Sequence, residues 1–289
     1  MLHKQPDDIW RLDFQLGWDV DREASIRREN VEPLIRGLLG PDVAFEREWY
    51  SVYTFQCRRL ARFVHGRVIF AGDSAHVVSP FGARGCNGGL ADAENLGWKL
   101  DLVLTGQARE ALIETYNDEA VIAADENIGH SSRATDFMSP KTPAARILRD
   151  AVLELAIDHP FARSFVNSGR LSSPVNYAQT ELTTADEPDA QWDGVPPGTP
   201  ALDVPVGPAW LFDDRKQGFM LVGHHVPDFP GLPMTRVADS DKLALERYDL
   251  KPGSVYLIRP DRYVAARWRS PDRQAIKTAL ATAMGGGSG

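Results

Sequence analysis

Apolar and polar positions alternate in the first sixty residues, a pattern typical of half-buried strands. The alternation runs through W-R-L-D-F-Q-L at residues 10–16 and returns between Trp49 and Gln56. Between these two segments, helical spacing predicts a helix from Arg27 to Leu39, ended by Gly40-Pro41. Residues 9–60 are therefore predicted to be largely strands with one helix between them.

The next segment, Arg67 to Leu100, predicts a strand, a glycine-rich loop and a helix in that order. An apolar run from Val68 to Ala71 predicts the strand, which ends at Gly72-Asp73. The turn-forming residues after it are Pro80, Gly82 and Gly85. Apolar residues then recur at helical spacing, at Leu90, Ala93, Leu96 and Leu100. This order directs the positive end of a helix, with its free backbone N–H groups, at an electron-rich ligand.

Further helices are predicted at residues 109–128 and 144–157. The apolar stripe of the first consists of Leu112, Tyr116, Ala120 and Ala123. A polar loop region is expected after the second, up to about residue 180.

The carboxyl-terminal part has a different pattern. Residues 183–205, rich in Pro, Asp and Thr, are predicted to be a linker. Apolar runs at 210–212 and 219–222 flank a turn at 213–218, and the runs at 255–258 and 263–266 predict a hairpin. The last helix is expected to have Ser270 as its cap and Pro271 in its first turn. Its apolar stripe consists of Ile276, Ala279, Leu280 and Ala283.

Composition narrows the class of protein. The 289 residues are 43% hydrophobic and 25% charged, which fits a globular protein with one large or two smaller domains. A net charge of -8 argues against nucleic acid as a partner. The sequence contains no run of 18 apolar residues, so it predicts no membrane-spanning helix. Two cysteines, Cys57 and Cys86, favour a reduced compartment, and we expect the cytoplasm.

The segment after Val68 resembles the second flavin-binding motif of the FAD-dependent aromatic monooxygenases, the group of p-hydroxybenzoate hydroxylase, phenol hydroxylase and 3-(3-hydroxyphenyl)propionate hydroxylase. Fifteen positions match that motif at fixed offsets. They are Gly72, Asp73, Ala75, His76, Pro80, Gly82, Gly85, Asn87, Gly89, Asp92, Asn95, Leu96, Trp98, Lys99 and Leu100. The resemblance implies a mixed α/β fold: a partial FAD-binding domain of the p-hydroxybenzoate hydroxylase type, with substrate-domain strands, followed by a thioredoxin-like domain.

Two motifs of this family are missing from the sequence. The strand, G-x-G-x-x-G and helix that hold the adenosine diphosphate half of FAD do not occur, and neither does the aspartate-glycine motif. We therefore expect the chain to be the carboxyl-terminal part of a longer monooxygenase. The expected divisions are a monooxygenase domain at 1–182, the linker, a thioredoxin-like domain at 206–284 and a disordered tail at 285–289.

The resemblance assigns roles to individual residues. Asp73 would accept hydrogen bonds from ribityl hydroxyls while Gly72 lets the sugar chain pass close to the backbone. The N–H groups of residues 85–88, which are Gly85, Cys86, Asn87 and Gly88, would face the flavin N1–C2 edge. Pro80 and Gly82 would line the side from which nicotinamide and oxygen approach. Tyr53 and Gln56 are candidates for substrate contact, or else serve sheet packing and solvent exposure.

The implied reaction is hydroxylation of a small aromatic, usually phenolic, substrate. NADH or NADPH reduces FAD, O2 adds to form a flavin C4a-hydroperoxide, and its distal oxygen passes to the ring. The protein positions the reactants and excludes water, so no catalytic triad is required. A homodimer is possible. One alternative is a non-catalytic remnant or split-protein piece that binds FAD weakly.

A second alternative is an esterase of the G-D-S type with Ser74 as nucleophile, although Asp73 and His76 could not by themselves supply an oriented base. His76 is interpreted either as a local hydrogen-bonding residue that fixes the loop or as a phosphate contact, a flavin contact or a proton relay. Arg84 either steers an anion or is a solvated side chain.

The helix residues of the motif, Asp92, Asn95 and Lys99, could simply serve packing and surface polarity. His130, His224 and His225 lack partners at metal-ligand spacing, so no metal site is expected.

Overall fold

The computed structural model describes residues 1–17, 19–166, 174–213 and 218–286. Within these residues the fold is mixed α/β, as predicted. The turn expected at 213–218 and the tail at 285–289 lie partly outside the described residues, and so does the polar loop region after residue 166.

The amino-terminal region contains fewer strands than the alternation predicts. Strand β1 (Leu2–Lys4) pairs antiparallel with β2 (Trp10–Leu12). The short helix α1 (Arg22–Ser25) precedes α2 (Arg28–Leu39), which confirms the predicted helix. Residues 49–56 form no strand, so that prediction is wrong. Alternation reports which side chains are half-buried, but a strand also needs a partner edge, and this segment pairs with none in the described residues.

Four short strands surround the glycine turn. Strand β3 (Arg58–Arg59), β4 (Val64–His65) and β5 (Val68–Ile69) are followed by a 3-10 turn at Gly72–Ser74 and by β6 (His76–Val77). These strands form two antiparallel pairs, β3 with β6 and β4 with β5. The buried residues of this layer share one core with the next long helices, formed by Phe63, Val64, Ala75, Tyr116, Ala120 and Ala124.

Two long helices follow, α3 (Arg84–Leu104) and α4 (Ala111–Met138). The stripe predicted for α4 is confirmed, because its members are all buried. The stripe predicted for α3 is wrong: Leu90 is 64% exposed. Helix α3 instead buries a face that is largely polar, made by Arg84, Gly88, Asp92, Asn95, Trp98 and Lys99.

A helical pair, α5 (Pro143–Asp158) and α6 (Pro160–Val166), confirms the helix predicted at 144–157. The Thr142 side chain caps α5 by accepting from the Ala145 N–H at 3.1 Å. No residue of α5 is fully buried.

Residues 183–204 contain no helix or strand, yet they are held along the carboxyl-terminal sheet. Val195 and Val204 belong to a core cluster of that sheet. Arg267 donates to the carbonyls of Gly194 and Val195 at 2.8 and 2.9 Å and pairs with Asp186. The segment predicted as a linker is therefore packed coil, although the proposed domain division stays a prediction.

The carboxyl-terminal part is built around a four-stranded sheet. A small pair, β7 (Pro205–Val206) and β8 (Ala209–Trp210), precedes it. The sheet strands are β9 (Met220–Gly223), β10 (Met234–Arg236), β11 (Val255–Ile258) and β12 (Val264–Trp268). Their order is β10-β9-β11-β12, with β9 and β10 parallel and the other pairs antiparallel. The predicted β11–β12 hairpin is confirmed.

Helix α7 (Lys242–Arg247) precedes β11, and α8 (Arg273–Ala283) ends the described chain. The α8 cap is Asp272, not Ser270, because the Asp272 carboxylate accepts from the Ala275 N–H at 2.7 Å. The thioredoxin-like assignment of this part stays a prediction.

A buried ionic cluster joins α3 and α4 to the carboxyl-terminal sheet. The Glu119 carboxylate accepts hydrogen bonds from Lys99 at 2.7 Å and from Arg259 at 2.5 and 2.8 Å. Arg259 also donates to Asp261, which accepts from the Trp98 indole at 3.0 Å. These side chains are almost completely shielded from solvent.

The charges in this cluster determine its ionisation. Burial alone would raise the pKa of Glu119, but the positive charges of Arg259 and Lys99 outweigh it and lower that pKa to about 2. Burial lowers the pKa of Lys99 to about 8, against the opposing effect of Glu119. At pH 7 Glu119 is therefore ionised and Lys99 mostly protonated.

None of the helices in the described residues is both long and apolar enough to cross a membrane.

Candidate functional site

An open cavity of about 1000 Å³ lies beside the amino-terminal end of α3. Residues from three separate stretches of sequence line it: the segment before β3, the 3-10 turn and the loop into α3. The predicted site residues in its wall are Tyr53, Gln56, Gly72, Asp73, Pro80, Gly85, Cys86 and Asn87. The fold thus gathers most of the predicted site at one place.

Gly82 and Gly88 do not line this cavity. Gly82 has φ of +95°, a conformation that favours glycine, in the loop before α3. Gly88 is buried, and a Cβ atom there would lie 3.2 Å from Cε1 of His76. Gly88 therefore permits close contact between α3 and β6.

The end of α3 that borders the cavity has free donors. Ala83 precedes the helix in the left-handed region, with φ of 52°, and no side chain caps the helix. The first turn contains no acidic residue. The first backbone N–H groups of a helix have no intrahelical acceptor, so here they remain available to a ligand.

The turn that carries Asp73 is fixed by a carboxylate of α3. Asp92 accepts a hydrogen bond from the Gly72 N–H at 2.8 Å and contacts His76 Nε2 at 2.7 Å. Both Asp92 and His76 are buried. Gly72 (φ 57°) and Gly89 lie against each other, because a Cβ at Gly72 would be 3.7 Å from the Gly89 Cα. Asp92 therefore determines where Asp73 stands at the cavity.

Sequence reasoning missed this role of Asp92. The interpretation that Asp92, Asn95 and Lys99 serve surface polarity is wrong, since they are buried. The signal was present as polar residues at helical spacing on one face, together with Gly88. For His76, the local hydrogen bond is the interpretation that agrees with the geometry.

Aromatic side chains line one side of the cavity. Tyr53 and Phe55 have ring centroids 6.0 Å apart, and Phe55 meets Phe81 edge-on at 5.8 Å. The Tyr53 hydroxyl accepts from Arg11 at 3.2 Å. Phe55 lies in the cavity wall, although its position in the sequence did not predict a place there.

Two arginines, Arg58 and Arg84, also line the cavity. Arg84 is 6% exposed and donates to Asn127 Oδ1 at 3.2 Å, so the solvated interpretation is wrong. Burial lowers the pKa of Arg84, yet a guanidinium remains charged in proteins. The cavity therefore has positive charge in its wall besides the helix end.

Ser74 is not arranged as a nucleophile. Its hydroxyl donates to the Ala71 carbonyl at 2.7 Å and accepts from the Ala71 N–H at 3.2 Å. His76 contacts Asp92 rather than Ser74. The Ser–base pair of an esterase is thus not formed by these two residues.

The two cysteines are free. The Cys57 sulfur accepts from the Ser79 N–H at 3.3 Å, and Cys86 is exposed at the cavity.

The structure corrects the expectation that His224 and His225 lack a partner at metal-ligand spacing. His224 and His225 do have a partner at ligand spacing, since their rings and the Asp239 carboxylate offer atoms within 4.8 Å of one another.

Comparison with known proteins gives consistent matches. A sequence family described as "FAD binding domain" matches residues 4–131. The 6-methylpretetramide 4-monooxygenase of Streptomyces rimosus is 30% identical, covering 87% of this chain and 50% of that protein. A 3-(3-hydroxy-phenyl)propionate/3-hydroxycinnamic acid hydroxylase of Mycolicibacterium vanbaalenii is 27% identical, covering 94% of this chain and 54% of that protein.

Among solved structures, the flavin-dependent monooxygenase PieE, in complex with FAD and substrate, has a similar fold. Its TM-score is 0.67 at 21% identity, covering 93% of this chain and 56% of that one. The chain spans about half the length of the curated relatives it matches.

Proposed function

Since the chain belongs to the FAD-dependent aromatic monooxygenases, we propose that it forms the flavin-ring side of an active site that hydroxylates an aromatic substrate. The observation that carries the proposal is the cavity at the uncapped end of α3, with Asp73 in its wall. The relatives named above as a monooxygenase and a hydroxylase support the reaction class.

The cavity residues fit a flavin. Free N–H groups of the first turn of α3 suit the electron-rich edge of the ring, and Asp73 supplies an acceptor for sugar-alcohol hydroxyls. The glycine at position 72 lets a ligand approach the backbone closely. In this proposal Gly72, Asp73, Pro80, Gly85, Cys86 and Asn87 hold the cofactor. When bound, FAD supplies the redox chemistry that activates O2 for transfer of one oxygen atom.

The chain's own groups have separate tasks in this proposal. The helix N–H groups stabilise negative charge on the bound ring without reorganising, because the helix already fixes their direction. Tyr53, Phe55 and Gln56 orient the aromatic substrate and keep water from it. Arg58 and Arg84 attract an anionic cofactor or substrate.

Further parts of the proposal concern the whole protein. NADH or NADPH is the reductant and O2 the second substrate. The free cysteines support a reducing compartment such as the cytoplasm. We also propose the domain division at residues 182 and 206, with a thioredoxin-like second domain. That domain has no C-x-x-C, so it serves structure or dimer contact.

The test is a fluorescence titration of the 289-residue chain with FAD and with FMN, which lacks the adenosine half. We expect similar affinities for both flavins, because the chain has no G-x-G-x-x-G to hold adenosine diphosphate. Asp73→Ala should lower the affinities for FAD and for FMN by about tenfold each, because a lost charge-assisted hydrogen bond costs about 1.4 kcal/mol.

The matched control is Asp101→Ala, which removes an exposed carboxylate from α3 at its other end. It should bind both flavins as the parent chain does. Unchanged binding in Asp73→Ala would contradict the role of Asp73 at this site.

A second candidate is a piece that acts only with a partner polypeptide. The observation in its favour is the coverage of about half of each relative. It predicts flavin binding too weak to saturate and negligible NAD(P)H oxidation by the chain alone. Robust turnover by the isolated chain would exclude this candidate.

A further inference from the structure

Three side chains converge at one edge of the carboxyl-terminal sheet. His224 Nε2 lies 3.5 Å from one Asp239 oxygen, and His225 Nε2 lies 3.2 Å from the other. The two imidazole rings are stacked, with centroids 4.1 Å apart. Ligand atoms 2.0–2.1 Å from a tetrahedral ion are about 3.3–3.4 Å from each other. Each of the two nitrogen–oxygen separations is close to that value, and one ligand atom from each residue lies within 4.8 Å of the other two.

The sheet topology explains why residues distant in sequence meet. Strands β9 and β10 are adjacent and parallel, so their carboxyl ends lie at the same edge. The two histidines directly follow β9, and Asp239 follows β10 by a short turn. The Val237 N–H donates to the Gly223 carbonyl at 2.9 Å and holds the two strand ends together.

The rings are oriented as in metal sites. His224 is buried, and its Nδ1 contacts the Val237 carbonyl at 2.8 Å. A proton on Nδ1 leaves the Nε2 lone pair free to face Asp239, the arrangement that fixes metal-binding histidines in proteins. His225 lies in the left-handed region, with φ of 51°, and its Nε2 contacts the same carboxylate at 3.2 Å.

The surroundings allow an ion to enter. His225 and Asp239 are exposed and line a shallow depression of about 430 Å³. Arg236 also lines it, but its guanidinium pairs with Asp228, which offsets its charge.

We propose that His224, His225 and Asp239 bind a divalent transition-metal ion, with Zn²⁺ the first ion to test. Two imidazoles and one carboxylate favour Zn²⁺ over Mg²⁺ or Ca²⁺, which prefer all-oxygen sites. The ion would link the ends of β9 and β10 and leave a fourth position to water. This site is independent of the proposed flavin site.

The test is equilibrium dialysis of the full chain against Zn²⁺, followed by metal analysis. We expect one ion per chain at saturation, and at least about tenfold weaker binding in His225→Ala and in Asp239→Asn, which each remove one ligand. Both positions are exposed, so these variants should fold. Zn²⁺ at about 100 times the parent's Kd should also raise the Tm of the parent chain by roughly 5 °C, and that of each variant by about half as much or less.

His65→Ala is the matched control, because His65 is an exposed histidine on β4 outside the cluster. It should bind Zn²⁺ like the parent chain, and Mg²⁺ should give no Tm rise. The proposal is overturned if His225→Ala and Asp239→Asn bind Zn²⁺ as the parent does, or if the parent binds less than one ion per chain.

Discussion

At the scale of single residues, Asp92 fixes the site although it does not itself line the cavity. One oxygen of its buried carboxylate serves both the Gly72 N–H and His76. Asp92→Ala would remove this partner from the half-buried Gly72 N–H and from the buried His76 ring. We expect the free energy of unfolding, measured by urea denaturation, to fall by about 2–3 kcal/mol. Flavin affinity should fall with it, because the Gly72 turn loses its anchor.

Asp92→Asn distinguishes the loss of hydrogen bonds at this position from the loss of side-chain volume. Asp92→Asn keeps the volume and one carbonyl oxygen, so it should accept from Gly72 and lie between the parent and Asp92→Ala in stability. The exposed Asp101→Ala on the same helix should change stability by less than about 0.5 kcal/mol. Equal stability of Asp92→Ala and the parent chain would refute the anchoring role.

The sequence identified the wall residues better than their supports. Asp73 and Asn87 were predictable because glycine-rich turns before helices commonly bind ligands. Asp92 faces inward for a reason that lies outside its own segment: its partners are Gly72, twenty residues earlier, and His76, sixteen residues earlier. Periodicity identifies helices by their apolar residues, and the buried face of α3 is largely polar.

At the scale of elements, the buried charges between α3, α4 and β11–β12 make stability depend on pH. The pKa of Glu119 is lowered from its ordinary 4.5 to about 2 in the folded chain. A lowered carboxyl pKa stabilises the fold above pH 4.5, and this contribution is lost as the pH falls from 4.5 toward 2. Its full value is about 3 kcal/mol.

Glu119→Gln should therefore lower the free energy of unfolding by about 3–5 kcal/mol at pH 7, since Lys99 and Arg259 lose a buried counter-charge. The difference in the free energy of unfolding between the parent chain and Glu119→Gln should narrow as the pH drops from 5 to 3. Urea titrations across that range measure it. Glu114→Gln, at a half-exposed position of the same helix, should show a small, nearly constant difference. If the difference in the free energy of unfolding between the parent chain and Glu119→Gln did not depend on pH, that result would contradict the lowered pKa of Glu119.

Helices and the hairpin were predicted from local pattern, while other elements required tertiary information. Helices α2, α4 and α5 and the β11–β12 hairpin follow from spacing and turn residues close in sequence. The segment at 49–56 has the spacing of a strand but no partner strand in the described residues, and its Val52 carbonyl accepts from the Arg22 side chain at 3.0 Å. Residues 183–204 have the composition of a linker, yet Arg267 from a later strand holds them in place.

At the scale of the whole molecule, one hydrophobic core crosses the expected domain division. Trp98 and Leu112 of the α3–α4 pair share a cluster with Leu221, Leu257 and Ile276 of the carboxyl-terminal part. The salt bridge between Glu119 and Arg259 lies in the same interface. The loop that lines the cavity thus leads into α3, which packs against the sheet through Trp98. This contact keeps the cavity wall in a fixed position.

This shared interface predicts that the α3–α4 pair and the sheet unfold together. Differential scanning calorimetry of the parent chain should show one main transition. Arg259→Met removes the cation that Glu119 and Asp261 share, and leaves two buried carboxylates with less compensation. We expect this variant to show two separated transitions, because the interface weakens while each part keeps its own core. Arg247→Met, an exposed substitution on α7, should keep the single transition. Two transitions already in the parent chain would mean that the interface does not couple the two parts.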